Sequence, residues 1–320
     1  MTREEPPAKG DAGIDTGIDA GSDDHRDALA DLARQALAGS SAALEQLMEA
    51  VRDPIYGLAL RMLLHPQDAE DAAQDIAIRI ITHLSQFRGE GSFISWAMRI
   101  AANTLINMKK KRRLEQLTFA DVGAELESGW DAPPLAGQNP ATTHRTELKL
   151  LVKEVKIGCS SAMLQCLDRD KRIAYILGEI FEVTSEQGAF ILEITPAAFR
   201  KRLSRARELL TAFMQQHCGL VVRENRCNCR DRLPVAVSRH HVDPKQLFFA
   251  NHPRAAVSVR QQLNPTTPVS GAVHQTVREI DAMHKVAAVF RSHPDYRGPE
   301  AYMQSVRALM QSGSFRAFEV

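Results

Sequence analysis

Basic residues and asparagines lie at helical spacing between residues 99 and 113. Arg99, Asn103 and Asn107 recur every fourth residue, so they share one face of a predicted helix. The helix ends in an uninterrupted basic run that consists of Lys109, Lys110, Lys111, Arg112 and Arg113. A basic helix face suits phosphate groups, because contacts to phosphate are largely electrostatic. The chemistry indicated here is noncovalent binding.

An acidic face with one apolar residue lies on the preceding predicted helix. Its polar positions are Asp68, Asp71, Gln74 and Asp75. Ile78 lies two turns after Asp71, so it projects from this acidic side and not from the apolar stripe. An acidic face suits a basic protein partner.

Two amphipathic helices must position these residues. The first has the repeat of a single buried stripe, at Ala69, Ala72, Ala73, Ile76, Ala77, Ile80, Ile81 and Leu84. After a turn containing two glycines, Ser92 is suited to cap the second helix. The stripe of that helix comprises Phe93, Trp96, Ala97, Ile100, Ala101, Thr104, Leu105 and Met108. Together with two earlier helical stripes, this pattern predicts a compact all-α domain over residues 28–113.

The helix pair resembles region 2 of bacterial extracytoplasmic-function (ECF) RNA polymerase sigma factors. The matching positions are Asp68, Glu70, Asp71, Gln74, Asp75, Phe87, Arg88, Gly89, Phe93, Trp96, Arg99, Ile100, Ala101, Asn103 and Asn107, followed by the basic run. The resemblance implies that the first helix docks on core polymerase through Asp68, Asp71, Gln74, Asp75 and Ile78. It also implies that the second helix and the turn before it bind the promoter −10 element, through Arg88, Arg99, Asn103, Asn107 and the basic run. The chain departs from the family at Ala77, where an aromatic residue is usual.

A second helical domain is predicted over residues 147–217. Thr184 and Gln187 have the spacing of a capping box, and Thr195-Pro196 is a strong helix-start signal. Two short helices with a tight turn indicate a helix-turn-helix. With Leu167, Arg172 and the run Arg202-Leu203-Ser204-Arg205-Ala206-Arg207, this part resembles region 4 of the same family. The resemblance implies that the second helix binds the −35 element, through Arg200, Lys201, Ser204, Arg205 and Arg207. Glu193 replaces the usual glycine of the turn, and Ala198 stands where threonine is common.

The remaining segments differ in composition. Residues 1–27 are rich in Gly and Asp and are expected to be a disordered acidic tail. Residues 114–146 show no helical or strand period and are expected to be an extended linker. Residues 218–320 form an extension beyond the resemblance, with helices expected near 273–290 and 299–311, and extensions in this family are generally regulatory. The fold class predicted is all-α throughout.

A group of potential metal ligands follows the helix-turn-helix. His217, Cys218, Cys227 and Cys229 lie close in sequence, and thiolate and imidazole groups are typical ligands of tetrahedral zinc. Neighbouring arginines are expected to lower the pKa of these thiols, which suits a metal ligand and a redox-sensitive thiol equally. Zinc binding, a redox switch and simple packing all remain open at this point.

Composition excludes several classes of protein. The net charge of +1 identifies no partner, and no apolar run approaches the ~20 residues that span a bilayer. The N-terminus lacks a signal-peptide pattern, so a cytoplasmic protein without membrane insertion is expected. The sequence shows none of three motifs that would indicate an enzyme: paired carboxylates, a nucleophile elbow or a phosphate-binding glycine loop.

Three functions are weighed. The first is an alternative sigma factor that binds core RNA polymerase and promoter DNA, requires no cofactor and is open to control by an anti-sigma factor. The second is a helix-turn-helix regulator that works without polymerase, although such a protein has no need of an acidic face bearing Ile78. The third is an enzyme with its active site in the extension.

Overall fold

A computed structural model of the chain describes residues 20–89, 92–108, 117–130, 145–250 and 277–311. Within these ranges the regular structure is helical, no strand forms, and two isolated β-bridges occur. The all-α prediction is confirmed. None of the helices in these ranges combines the length and apolarity needed to cross a bilayer.

Four helices form the first bundle: α1 (Ala20–Leu37), α2 (Ser41–Leu63), α3 (Pro66–Thr82) and α4 (Phe93–Asn107), with a short 3-10 turn before α4. The first helix starts before the predicted boundary at residue 28, so the expectation of a disordered tail is wrong for residues 20–27. Residues 1–19 lie outside the described ranges.

The predicted stripes of α3 and α4 face the core of this bundle. Ile76, Ile80 and Leu105 are buried, and Phe93 and Trp96 stack beside one another with ring centroids 5.6 Å apart. The predicted cap also forms, because the Ser92 hydroxyl accepts a hydrogen bond from the backbone N–H of Ser95.

A helix interrupts the segment predicted to be an extended linker. Helix α5 (Phe119–Glu127) begins with a capping box, in which Thr118 and Asp121 satisfy each other's backbone N–H groups. The expectation of an extended chain is therefore wrong for these residues, because the local capping signal and the buried Val122 and Leu126 outweigh the acidic composition. Residues 131–144 lie outside the described ranges.

The second bundle contains the predicted helix-turn-helix. It comprises α6 (Arg145–Gln165), α7 (Arg169–Tyr175) with a π-helical turn at Ile176–Ile180, α8 (Ser185–Leu192) and α9 (Pro196–His217). Both predicted caps are present, since Thr184 forms the capping box with Gln187, and the Thr195 hydroxyl accepts from the N–H of Ala198. Helices α8 and α9 pack against each other as the sequence predicts.

One buried arginine connects the two bundles. Arg172 is 0% exposed, and its guanidinium donates to the backbone oxygens of Met62, Leu164, Gln165 and Leu167 and to the side chain of Gln165. Met62 lies in the last turn of α2, whereas Leu164 and Gln165 end α6. Burial lowers the pKa of Arg172 to about 10, and the guanidinium stays charged at neutral pH because this value is still well above 7.

The C-terminal extension packs on both bundles. It contains α10 (Leu233–Ser238), α11 (Val277–Arg291) and α12 (Glu300–Gln311), of which the last two match the predicted helices. Helix α11 contacts α9 and the π-helical turn, whereas α12 contacts α2 and α3. Between them, the carbonyl of Pro294 accepts a hydrogen bond from Arg61 of α2. The described helices of the extension thus pack against helices of both bundles.

Candidate functional surfaces

The acidic face of α3 is open to solvent. Asp71, Asp75 and Ile78 are exposed, and Ile78 retains 44% of its accessible surface although isoleucine is usually buried. Asp68 and Gln74 are half-buried on the same side. Helix α12 contacts α3, yet Asp71, Asp75 and Ile78 stay exposed. The structure therefore places all five predicted residues on one accessible or partly accessible surface with an apolar centre.

The predicted promoter-facing side of α4 contacts the helix-turn-helix. The guanidinium carbon of Arg99 lies 4.9 Å from the ring centre of Phe190 in α8. The side-chain amide of Asn103 donates to a carboxylate oxygen of Glu193 across 2.7 Å. Asn107 is exposed and donates to the backbone oxygen of Asn103. Two of the predicted residues are thus engaged with the second bundle.

The other predicted residues of this surface precede or follow α4 in the sequence. Arg88 is exposed in the turn before α4. Lys109, Lys110, Lys111, Arg112 and Arg113 lie outside the described residues.

Glu193 explains how the turn tolerates a residue other than glycine. It ends α8 with φ of 53° and ψ of 42°, a left-handed conformation that disfavours most side chains. Its carboxylate accepts the hydrogen bond from Asn103, so the side chain links the turn to α4. The sequence shows the unusual residue but not this contact.

We expect the Asn103–Glu193 contact to contribute measurably to the packing of the bundles. In a double-mutant cycle of Asn103→Ala and Glu193→Gly, urea unfolding is expected to show a coupling energy of about 0.5–1 kcal/mol, because the hydrogen bond is near the surface. Glycine is chosen because it adopts the left-handed conformation without strain. A cycle of Asn103→Ala with Glu186→Ala serves as the control, and an equal coupling energy in both cycles contradicts the expectation.

The outward face of α9 carries the second predicted DNA-binding set. Arg200, Lys201, Ser204 and Arg205 are exposed. Arg207 instead pairs with Glu179 of the π-helical turn, a carboxylate whose side chain is only 5% exposed. Arg291 of α11 pairs with the same carboxylate at 3.0 Å. The extension thereby reaches the predicted DNA-binding helix, a connection that the sequence does not reveal.

The predicted metal ligands do not all come together. The His217 ring packs on Phe213, with ring centroids 4.7 Å apart, and its Nδ1 lies 3.4 Å from Glu127 of α5. Cys218 and Cys227 are neighbours, joined by a backbone bridge. Cys159 of α6 is a further free thiol, partly buried, that no sequence spacing singles out.

The expectation of lowered thiol pKa values is wrong. Burial raises the pKa of Cys227 to about 11 and that of Cys229 to about 12. Arg232 opposes the shift at Cys227 but does not overcome it. Thiols with raised pKa are poor nucleophiles, so the environment disfavours a reactive redox thiol.

Comparison with known proteins gives a consistent result. Residues 47–115 match the family model described as sigma-70 region 2. The chain is 27% identical over 186 residues to the RNA polymerase sigma-H factor of Pseudomonas aeruginosa, covering 58% of this chain and 92% of that protein. It is 27% identical over 177 residues to the ECF RNA polymerase sigma factor SigW of Bacillus subtilis, covering 55% and 91%. It is 29% identical over 146 residues to the ECF RNA polymerase sigma-E factor of Escherichia coli K12, covering 45% and 72%.

Proposed function

We propose that this chain, an alternative sigma factor of the ECF type that directs transcription initiation, binds core RNA polymerase through the acidic face of α3. The observation that supports the proposal most directly is the exposed Ile78 among Asp71 and Asp75. An apolar centre with a charged rim is the arrangement found at the energetic centres of protein interfaces. The buried stripe on the opposite side of α3 holds this face outward.

We propose that the two bundles bind the two promoter elements. Arg99 and Asn103 of α4 bind the −10 element, and the exposed residues of α9 bind the −35 element in the major groove. Because α4 contacts Phe190 and Glu193 of the helix-turn-helix, the face that binds the −10 element is partly covered. Promoter binding then requires the bundles to separate, and polymerase in the cytoplasm is the partner that holds them apart.

The proposal is tested by transcription in vitro with purified core polymerase. Transcripts that start at defined promoters only when the chain is added are the expected result. Specific DNA binding by the chain alone, with no effect on polymerase, contradicts the proposal and favours a polymerase-independent regulator. The same reactions with the chain heated beforehand provide the control.

Asn103 of α4 and Lys110 beyond it are expected to make different contributions to promoter binding, one to sequence preference and the other to overall affinity. Asn103→Ala is expected to change the relative use of promoters with different −10 sequences, because an amide can hydrogen-bond base edges. Lys110→Ala is expected to weaken all promoters alike and to reduce the salt dependence of binding by about one phosphate contact. Parallel loss on every promoter in both variants contradicts this division.

A further inference from the structure

Residues 290–307 of the extension contact the two bundles in turn. At the start of this segment, the Phe290 ring packs against the ring of Tyr175 in α7, with centroids 5.1 Å apart. Arg291, the last residue of α11, pairs with the buried carboxylate of Glu179 at 3.0 Å and donates to the backbone oxygen of the same residue across 2.8 Å. These contacts fix the first end of the segment to the second bundle.

The other end of the segment packs on the first bundle. The Gly298 N–H donates to the carboxylate of Asp53 in α2 across 2.9 Å. Helix α12 then lies against α2 and α3, with Tyr302 and Val306 almost completely buried. Because burial of apolar side chains is the main source of stability in such contacts, this end is also firmly attached.

One buried arginine lies where the segment passes from one bundle to the other. Arg61 of α2 is 3% exposed, and its guanidinium carbon lies 4.6 Å from the ring centre of Tyr296 and 5.4 Å from that of Phe181. Tyr296 belongs to the segment, whereas Phe181 follows the π-helical turn of the second bundle. The same guanidinium donates to the Pro294 carbonyl across 3.1 Å. A side chain of the first bundle is thus enclosed by the second bundle and the extension together.

His293 attaches the middle of the segment to the second bundle. Its Nε2 lies 2.7 Å from the hydroxyl of Ser160 in α6, and both side chains are buried. Burial and the nearby Arg61 charge lower the pKa of His293 well below its usual range, so the ring is neutral at neutral pH. It therefore adds no second positive charge to the junction around Arg61.

The bundles held by this segment cover predicted DNA-binding residues. Arg99 and Asn103 of α4 contact Phe190 and Glu193 of the helix-turn-helix, so the function proposed above requires the bundles to separate. Since residues 290–307 pack on both bundles, separation must break contacts of this segment as well as the direct contacts between the bundles.

Given the function proposed above, we propose that residues 290–307 act as an intramolecular clasp, which restrains binding to the −10 element until one end of the segment is released. The clasp shifts the equilibrium of the free chain towards the closed arrangement. A partner that binds the open arrangement must then supply the free energy that opening costs. The clasp thereby sets how much core polymerase is needed for transcription from a given promoter.

Two substitutions in the extension weaken the clasp without altering a residue predicted to bind DNA or polymerase. Tyr302→Ala removes a side chain that is 0% exposed in the contact of α12 with the first bundle. Gly298→Ala adds a Cβ that would lie 2.5 Å from Cγ of Arg52, so the segment must move away from α2. Both are expected to raise promoter-specific transcription in vitro by about threefold or more at limiting core polymerase, because the open arrangement becomes more populated.

Each substitution has a matched control. Gln304→Ala shortens an exposed side chain of α12. Gly158→Ala adds a Cβ that meets no atom within 4 Å on α6. Both controls are expected to transcribe like the wild type, and circular dichroism of every chain shows whether the helices remain folded.

A reversible lock tests the clasp in a chain that keeps its buried contacts. Arg307 of α12 pairs with Glu45 of α2 at 2.7 Å, and both side chains are partly exposed. Cysteines introduced by Glu45→Cys and Arg307→Cys are joined by a short bis-maleimide that contains a disulfide, and a reductant then cleaves the bridge. The joined chain is expected to give about threefold less transcript, or lower still, than the same chain after cleavage. Chains with only one of the two introduced cysteines are expected to show no such change.

The outcomes distinguish the clasp from the function that it restrains. Higher transcription from the two clasp variants, with lower transcription from the joined chain, supports the clasp. If the wild type transcribes and joining leaves transcription unchanged, or if folded Tyr302→Ala and Gly298→Ala chains transcribe no more than the wild type, the clasp is overturned and the proposed function stands. If no chain gives promoter-specific transcripts, the clasp variants included, the proposed function is overturned and the clasp with it.

Discussion

Replacing Arg172 with methionine is expected to lower the free energy of unfolding by about 3 kcal/mol or more, since each buried polar group left without a partner costs about 1–3 kcal/mol. Methionine has a similar volume and fills the space with an apolar chain, so the loss comes mainly from polar groups and not from a cavity. The substitution removes the Arg172 donor from four backbone oxygens and the Gln165 side chain, of which the Leu164 oxygen also accepts from the N–H of Leu167. Buried acceptors without a partner are costly, because they have given up water without gaining a hydrogen bond.

Because Arg172 binds backbone oxygens of both bundles, the expected loss of stability comes from a weakened contact between them. The oxygens that it binds include the orphan carbonyls at the ends of α2 and α6, where the helix dipoles are negative. A positive charge therefore caps two helices from different bundles at once. Lysine carries the same charge, but its ammonium group lacks the planar, forked set of N–H donors of a guanidinium. Arg172→Lys is therefore expected to recover only part of the stability.

Urea unfolding followed by circular dichroism measures the effect. Arg202→Met is the matched control, because Arg202 forms a partly exposed ion pair with Asp170 at 3.3 Å and its loss is expected to cost less than about 1 kcal/mol. Equal losses in Arg172→Met and Arg202→Met contradict the role assigned to Arg172. The same contradiction follows if Arg172→Lys unfolds at the urea concentration of the wild type.

The elements with strong local signals could be predicted from the sequence. The stripes of α3 and α4 repeat regularly, and the caps at Ser92, Thr184 and Thr195 mark helix starts that the structure confirms. A buried stripe also fixes which residues face outward, which explains why the exposure of Ile78 could be foreseen. Local periodicity thus predicts the helices of each bundle and the orientation of their polar faces.

Contacts between distant segments could not be predicted in this way. The hydrogen bond from Asn103 to Glu193 and the ion pairs of Glu179 with Arg207 and Arg291 join residues far apart in sequence. Helical periodicity shows that such a side chain points outward but not what it meets.

Ile78→Arg is expected to weaken binding to core RNA polymerase by about 2 kcal/mol or more, which is about a thirtyfold rise in Kd. The substitution removes the apolar centre of the acidic α3 face and places a cation where the proposed interface buries an isoleucine. Because the Ile78 side chain is already 44% exposed, the stability of the bundle is expected to stay within about 0.5 kcal/mol of the wild type. Affinity for immobilised core polymerase and urea unfolding of the free chain measure the two effects separately.

Phe248→Arg provides the matched control, because it introduces the same charge at an apolar residue that is 43% exposed in the extension, away from α3 in sequence. Its affinity for polymerase is expected to match that of the wild type. If Ile78→Arg binds core polymerase as tightly as Phe248→Arg does, the acidic face of α3 is not the docking surface. If both variants lose affinity equally, general charge repulsion explains the loss, since added positive charge alone can slow association with a basic partner surface. Loss confined to Ile78→Arg, with unchanged urea unfolding, is the result that the exposed isoleucine on an acidic helix face predicts.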